Sequence, residues 1–577
     1  TLNNAGTMAD LSVSAGGTIT GEVSARNIER SNFAVNNQIN SILTTNDFRG
    51  VSIVTGELVD LRVQGDIRSS SISVAGPVRR INVTNEITLL NLISSGPFGR
   101  IDSIVAGGQI TGSFVSSGPI GTFQSTRSDI IGTISTTDTT DGDLTLLKAG
   151  RDLRVTLSVF GSAQNIEAGR HIGAKNEPRT FDIRGNLANV MVPSGQIYAD
   201  ILVGQSITGM ITNGRVEMRR GLDQVASGDI IAFGSINQIN LKGDFNGDII
   251  SYSGGIKSLI ITDGSFRPGN RIAAYDGNLD LIRIKGGDLL GNIYTDGDLK
   301  NLELVNGDDG FKGNIGIASF KRNNIRFKTD IRNELPPNVS RTTGVDGVTI
   351  QAQGNIDRIF LQQGSIWESS IIAGENIGLI DVFLLIRNDA LTVGRNNVIA
   401  AGNRIDTVRA GQFVGGLFVL AGVKSFGDDL KPGGTGANAD TIIAGSIGNL
   451  EFKKDVGNVT IGAGVTPGAN GSYGNADDTF ATGFSSIGSV FVGGARNAIK
   501  ALSAGTIGAV TSGVVTDVVQ PQAEPTKVVG ISGVLVTPGV PFSFTTTSAQ
   551  SGSFTYTGAG QAYWNAASFQ RSYRPLV

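Results

Sequence analysis

Between Phe233 and Leu304 the chain repeats one phrase four times: Ile236-x-x-Ile239-x-Leu241, Ile256-x-x-Leu259-x-Ile261, Leu279-x-x-Ile282-x-Ile284 and Leu299-x-x-Leu302-x-Leu304. The apolar residues fall at i, i+3 and i+5, and the starts lie 20, 23 and 20 residues apart. A second phrase stands between them, Phe245-x-Gly247-x-Ile249 and Leu289-x-Gly291-x-Ile293. A unit this short cannot bury its apolar face alone, so it must stack on its neighbours. The period and the strand-like alternation predict an all-β chain, a long parallel β-helix (β-solenoid) of about 20-residue coils.

The pattern begins at Met8-x-x-Leu11-x-Val13 followed by Ile19-x-Gly21-x-Val23, which leaves residues 1–7 as the N-terminal cap. Further on, Val78-x-x-Ile81-x-Val83, Phe98-x-x-Ile101 and Ile120-x-x-Phe123 each follow a Gly-Pro corner. The irregular first step of the i, i+3, i+5 phrase predicts a corner or a bulge. In the second phrase (Ile110-x-Gly112-x-Phe114, Ile130-x-Gly132-x-Ile134) the glycine shares a face with its apolar neighbours. That predicts a thin core whose opposite wall comes close. The rhythm breaks at 320–344, a basic excursion ending in Pro336-Pro337, then resumes at Ile356, Ile377, Ile447 and Ile487, with Ile507-x-x-Val510 the last partial copy. The predicted organisation is a solenoid over 1–515, with the excursion at 320–344 and a Gly/Asn/Asp insert at 463–482. A linker at 516–527 and a small aromatic-rich C-terminal β segment at 528–577 follow.

Composition closes off several functions. Basic and acidic residues number 47 and 50, so no net field is available to hold nucleic acid or an anionic membrane. There are no cysteines, which removes disulfides, thiolate metal sites and thiol catalysis. His171 is the single histidine and reads as a solvent-facing turn residue. The longest apolar run, Ile380 to Ile386, is too short to span a bilayer, so no transmembrane segment is expected. The chain opens at Thr1 with no basic-then-apolar leader, which reads as a processed N-terminus of a secreted protein. Glycine, at 81 residues, is spread in step with the repeat as turn chemistry.

Acids and amides recur just after a coil glycine, as at Asp66, Asp229, Asp244, Asp288 and Asp298, with Gln109 and Asn355 alike. Turn formers that bond their own backbone explain them. Outward acids such as Asp280, Asp357 and Asp381 stand in no diagnostic catalytic cluster, and Asp138, Asp141 and Asp143 make an acidic loop. The phrasing at Ile447-Gly448 and Ile487-Gly488 resembles the right-handed parallel β-helix and β-solenoid repeats of large bacterial secreted and surface proteins. The stretch Pro467 to Asp478 resembles the short "PGADGxxGTADD" insert of such proteins, with Asn470 and Asn475 departing from it. That resemblance implies calcium, with Asn470, Asn475, Asp477 and Asp478 as oxygen ligands. Lys431 to Asp440 is a fainter copy.

In the last segment the aromatics Phe542, Phe544, Phe554, Tyr556, Tyr563, Trp564, Phe569 and Tyr573 suit joining one subunit to another. The function expected is a non-enzymatic structural protein, an extracellular or cell-surface rod that self-assembles into a fibre, layer or appendage. Its partners are copies of itself or other surface proteins. The alternatives are a carbohydrate-binding adhesin and a β-helix enzyme that degrades polysaccharide.

Overall fold

The computed structural model describes residues 2–214, 225–306, 315, 348–387, 396–426, 432–436, 439–468, 471–473, 478–494, 496–503, 505–507, 510–512, 541–546, 551–555 and 564–565. The described elements are all strands. The chain divides into two compact units, Thr1–Leu259 and Ile260–Val577. Each is a parallel β-solenoid of about 21-residue coils.

In the first unit the i, i+3, i+5 phrase forms one strand of each coil, here called the primary strand. Ile101–Ala106 and Ile120–Ser125 turn their first, fourth and sixth residues inward. The predicted irregular step is a break in the ladder that both strands share, with register kept across it. Ile101 pairs with Ile120 and Ser103 with Thr122, while Asp102 and Gly121 drop out of the ladder. A Cβ on Gly121 would stand 2.4 Å from the Asp102 carbonyl oxygen, and one on Gly378 or Gly448 would meet the Asp357 or Asp406 carbonyl oxygen at 2.5 Å. Leu58, Val78, Ile101, Ile120 and Leu144 follow one another in register, each fully buried. An aliphatic side chain buried this way contributes ~1.5–3 kcal/mol, and the stack repeats that contribution coil after coil.

The second phrase forms the other long side, the secondary strand. Its early copies are broken by a left-handed residue at one position of five successive coils: Asp10, Arg30, Gly50, Ser69 and Leu89 have φ of 55, 44, 60, 46 and 56°. From Ile110 onward the bend is carried by Gly112 and Gly132, with φ of 153 and 132°. A Cβ on Gly132 would lie 1.9 Å from the carbonyl oxygen of Gly112, and one on Gly112 would lie 2.0 Å from that of Leu90. The signature glycine therefore answers to the neighbouring coil, and the opposite wall, expected to explain it, is not what a side chain there would meet. The core is nonetheless thin, since Phe114 of a secondary strand meets Phe123 of a primary strand edge-on, ring centroids 4.7 Å apart.

Two readings of the early sequence change. Met8 pairs with Ile28 and Val13 with Phe33, on the secondary side, whereas Ile19 pairs with Ile39 on the primary side. The two phrases are thus exchanged in the first coil. Residues 2–9 are a paired strand of that coil and no separate cap. Phe98 is 78% exposed, and Ile101 is the residue that continues the inward column. The true phrase is Ile101-x-x-Ile104-x-Ala106, obscured because its third inward residue is alanine.

In the second unit Leu299 pairs with Ile356 although 57 residues separate them. Between Asn306 and Val348 the described residue is Ile315, which bridges Leu289 and Ile366 in register. The basic excursion at 320–344 and the linker at 516–527 lie outside the described residues. Primary strands then continue through Ile377, Ile405, Ile447 and Ile487 to Ile507.

Candidate functional site

The polar groups that the sequence singled out are used mainly between coils. At many corners the residue just before the strand start has a side chain that accepts the backbone N–H of its counterpart one coil on. Asp66 shows the full arrangement. Its N–H donates to Asp47 Oδ1 at 3.1 Å, its carbonyl accepts from Phe48, and its own Oδ1 accepts from Glu86 N–H at 3.0 Å. The same bond runs from Asp152 N–H to Asp129, from Asp229 to Asp200, from Asp248 to Asp229, and from Asp298 to Asn278. These side chains were expected to bond within their own turn. Instead they clamp successive coils, because the corner N–H lies at the edge of the ladder and needs an acceptor from outside it.

His171 belongs to this ladder. It is half-buried rather than solvent-facing, and its Nδ1 accepts the N–H of Gln196 at 3.1 Å. Its ring lies 5.7 Å from that of Tyr198. Burial pushes the imidazole pKa down, with Arg170 and Arg154 acting the same way against the pull of Asp152. Asp152 is 1% exposed, and Arg170 holds both its oxygens, at 2.8 and 2.6 Å, while Arg154 reaches one of them at 2.9 Å. Burial alone would raise the Asp152 carboxyl, but the two guanidinium groups outweigh it and hold the group below the usual carboxylate range. The one histidine and its acid are thus engaged in joining coils.

Outward acids and bases on the primary face pair along the stack. Asp60 bonds Arg62 at 2.7 Å and Arg80 at 2.8 Å, and Glu57 bonds Arg79 at 2.8 Å. A shallow groove lined by Glu57, Val59, Arg79, Arg80 and Ser103 runs over these pairs, so its charges are already matched. In the second unit Arg283 pairs with Glu303 at 2.7 Å, and Asp280 with Lys300 at 2.7 Å. Asp357 and Asp381 stand in primary strands beside them, Asp381 in register with Arg409. The acidic loop does not converge. Asp138 accepts the N–H and hydroxyl of Thr140, whereas Asp143 turns to the N–H of Ser162 in the next coil.

One set of polar residues escaped the sequence reading. At strand ends Ser94, Ser125, Thr136 and Ser251 point inward, and their hydroxyls donate to corner carbonyls of Gly76, Gly108, Gly142 and Gly234 at 2.6–2.8 Å. The available signal was a hydroxyl residue in the slot that otherwise holds Val or Ala.

The two motif-like inserts of the second unit come together. Each enters as an antiparallel pair, Val423–Ser425 with Thr441–Ile442 and Val465–Thr466 with Thr479–Phe480. Thr466 Oγ1 and Gly433 N–H both donate to Asp440 Oδ2, at 2.8 and 2.6 Å. A Cβ on Gly433 would lie 3.0 Å from Gly471 Cα, so the two Pro-Gly loops stack backbone on backbone. Tyr473 is buried with Val423, Val465 and Leu420 beneath them, its ring 5.8 Å from Phe418. Burial raises its phenol well above the ordinary value, and Asp440 and Asp478 push the same way. Of the predicted calcium ligands, Asn470, Asn475 and Asp477 lie outside the described residues and Asp478 is described. Among the described residues no group of three or more acids or histidines is placed to hold a metal ion.

Of the predicted assembly aromatics, Tyr556, Tyr563, Phe569 and Tyr573 lie outside the described residues. Phe542, Phe544, Phe554 and Trp564 stand on strands that join the second unit's own sheet. Phe544 pairs in parallel with Val510, Phe542 antiparallel with Phe554, and Trp564 antiparallel with Ala501. No described helix is long and apolar enough to cross a membrane. Compared with known proteins, the chain matches no family, no curated protein and no solved structure.

Proposed function

We propose that this protein is a non-enzymatic structural element, a β-solenoid at or outside the cell surface that associates with copies of itself. The observation that carries this reading is where the polar chemistry goes. Corner carboxylates, the single histidine and the outward ion pairs each serve the contact between one coil and the next. Groups held in that way are poorly suited to move protons on a substrate, because every change of charge would be resisted by a structural partner. The aromatic C-terminal segment takes part at the end of the second unit, where its strands add to the stack. Calcium enters as a ligand of the second insert, with Asn470, Asn475, Asp477 and Asp478 supplying oxygens. Its support is the likeness of Pro467 to Asp478 to that insert.

Sedimentation and negative-stain imaging of the full chain over a range of concentrations test the reading. Regular higher-order assemblies are expected. A single molecule at every concentration, together with turnover of a uronic-acid or neutral glycan, would replace it with the polysaccharide-degrading alternative.

A further inference from the structure

The secondary face of the first unit carries two outward columns without charge. Three residues per coil point outward on these strands, in register from coil to coil; the column nearest the corner includes Glu29, Arg49, Arg68 and Arg154, and the other two hold no charged residue. These columns run from Ser12 and Ser14, through pairs such as Ser52/Val54 and Asn91/Ile93, to Thr156/Ser158. Over the eight strands starting at Ser12, Asn32, Ser52, Ser71, Ile87, Ile110, Ile130 and Leu153, every residue in the two columns is Ser, Thr, Asn, Ala, Val or Ile. The primary face of the same coils is instead laced with ion pairs such as Asp60–Arg80 and Lys148–Glu167. Soluble surfaces carry roughly 25–35% charged residues, so a run this long without one calls for a reason. Val54 and Ile93 are 51 and 37% exposed in one of these columns, and Leu89, 65% exposed, stands at its corner.

We infer that this face is a joint between two copies of the chain, packed secondary face to secondary face. Three features of the face select that partner. Two columns without charge cost less to dehydrate than a charged surface, provided their hydroxyls and amides regain hydrogen bonds across the joint. Its hydroxyls both donate and accept, as Thr133 does to Ser113 at 3.0 Å, so the face is complementary to itself. Its rungs recur at the strand spacing of ~4.8 Å, and a second copy carries the same spacing on the same flat array. A two-fold axis across the face then sets rung against rung in an isologous contact. Eight rungs and a width of about four residues give roughly 500 Å² on each copy. The total of about 1,000 Å² is at the lower limit for a specific interface, so a pair forms reversibly and gains strength only within a larger array.

This inference rests on the self-association proposed above, and lysine placement separates the two. Full-length protein carrying Ser73→Lys and Ser135→Lys is compared with wild type and with Val105→Lys/Leu146→Lys on the primary face. Concentration-dependent sedimentation reads association, and amide exchange confirms that each variant keeps its strands. The secondary-face pair is expected to weaken association at least tenfold and the primary-face pair to leave it unchanged. Because the chain has no cysteine, Ser73→Cys or Ser135→Cys should give disulfide-linked dimers under mild oxidation, and Val105→Cys should not. Assemblies that persist equally in both lysine variants overturn the face and leave self-association standing. A wild type that never associates removes both. Retention on an insoluble glycan that the secondary-face lysines abolish, without self-association, gives the face to a polysaccharide and overturns the joint.

Discussion

At Gly132 the chain meets two demands at once, a φ of 132° and a carbonyl oxygen from the coil before at the place a Cβ would occupy. Gly132→Ala should therefore cost more than about 1 kcal/mol, since the usual gain from stiffening the unfolded chain is outweighed by strain and clash. Gly16 offers the contrast, with nothing within 4 Å of a Cβ, and Gly16→Ala should be neutral or mildly stabilising. Hydrogen exchange of the amides in Ile110–Ser116 and Ile130–Thr136 reads the first change locally, which suits a repeat protein better than a single global free energy.

His171 makes a prediction of opposite character, one that depends on pH. Its folded pKa lies below the ordinary ~6.5, so the neutral ring's contribution is fully present above that value and is lost as pH falls below it. Asp152 is also depressed, so its contribution is fully present above ~3.9 and is lost as pH falls from there through its folded pKa. Acidification should thus loosen the first unit in two steps. Asn186 already serves as a corner acceptor for Ser206 N–H, so His171→Asn should keep stability at pH 8 and erase the upper step. His171→Ala leaves the Gln196 N–H without its acceptor and should cost ~1–3 kcal/mol at pH 8, and less as acid removes the wild-type bond. Thermal melts of the three proteins between pH 8 and 5 check both statements.

Elements show how insertions are accommodated. Val408 pairs with Leu450 and Leu450 with Val490, although 42 and 40 residues separate them. The added chain folds outward as antiparallel pairs and packs on its own kind. Asp440 is the tie between the two inserts, accepting from Gly433 and Thr466. Asp440→Ala should release both donors and cost ~1–3 kcal/mol of local stability, seen as faster exchange at the Gly433 amide with the primary strands unaffected. If the second insert binds calcium as proposed, added calcium should raise its unfolding temperature and a chelator should reverse that. Elemental analysis that finds no bound metal, with no response to chelator, withdraws the calcium assignment.

For the whole molecule, the C-terminal strands bear on solubility. Pro541–Thr546 lies on the edge strand Val510–Ser512, and Ser551–Thr555 returns antiparallel upon it. An open parallel edge templates pairing with another chain, and solenoids need their ends covered. Deleting 541–577 should leave the coils folded but promote disordered association, read as turbidity and broad sedimentation. A deletion variant as soluble as the full chain, with its regular assemblies gone, would instead assign the aromatics to joining subunits.

What the sequence determined by itself was the architecture. Burial period and the irregular step are local properties, so Ile236-x-x-Ile239-x-Leu241 announces both the inward residues and the break between them. Register is a different matter. Asp66 looks like a turn former until Glu86 is placed over it, and Met8 reads equally well as either strand type. Ser73 and Ser135 look like ordinary polar residues until alternation and pairing set them in one uncharged column. Coil lengths vary, so the sequence alone does not say which residues meet at sequence separations of 19 to 57. Only the tertiary structure decided that, because neighbours in a solenoid are chosen by hydrogen bonds between coils and not by order along the chain.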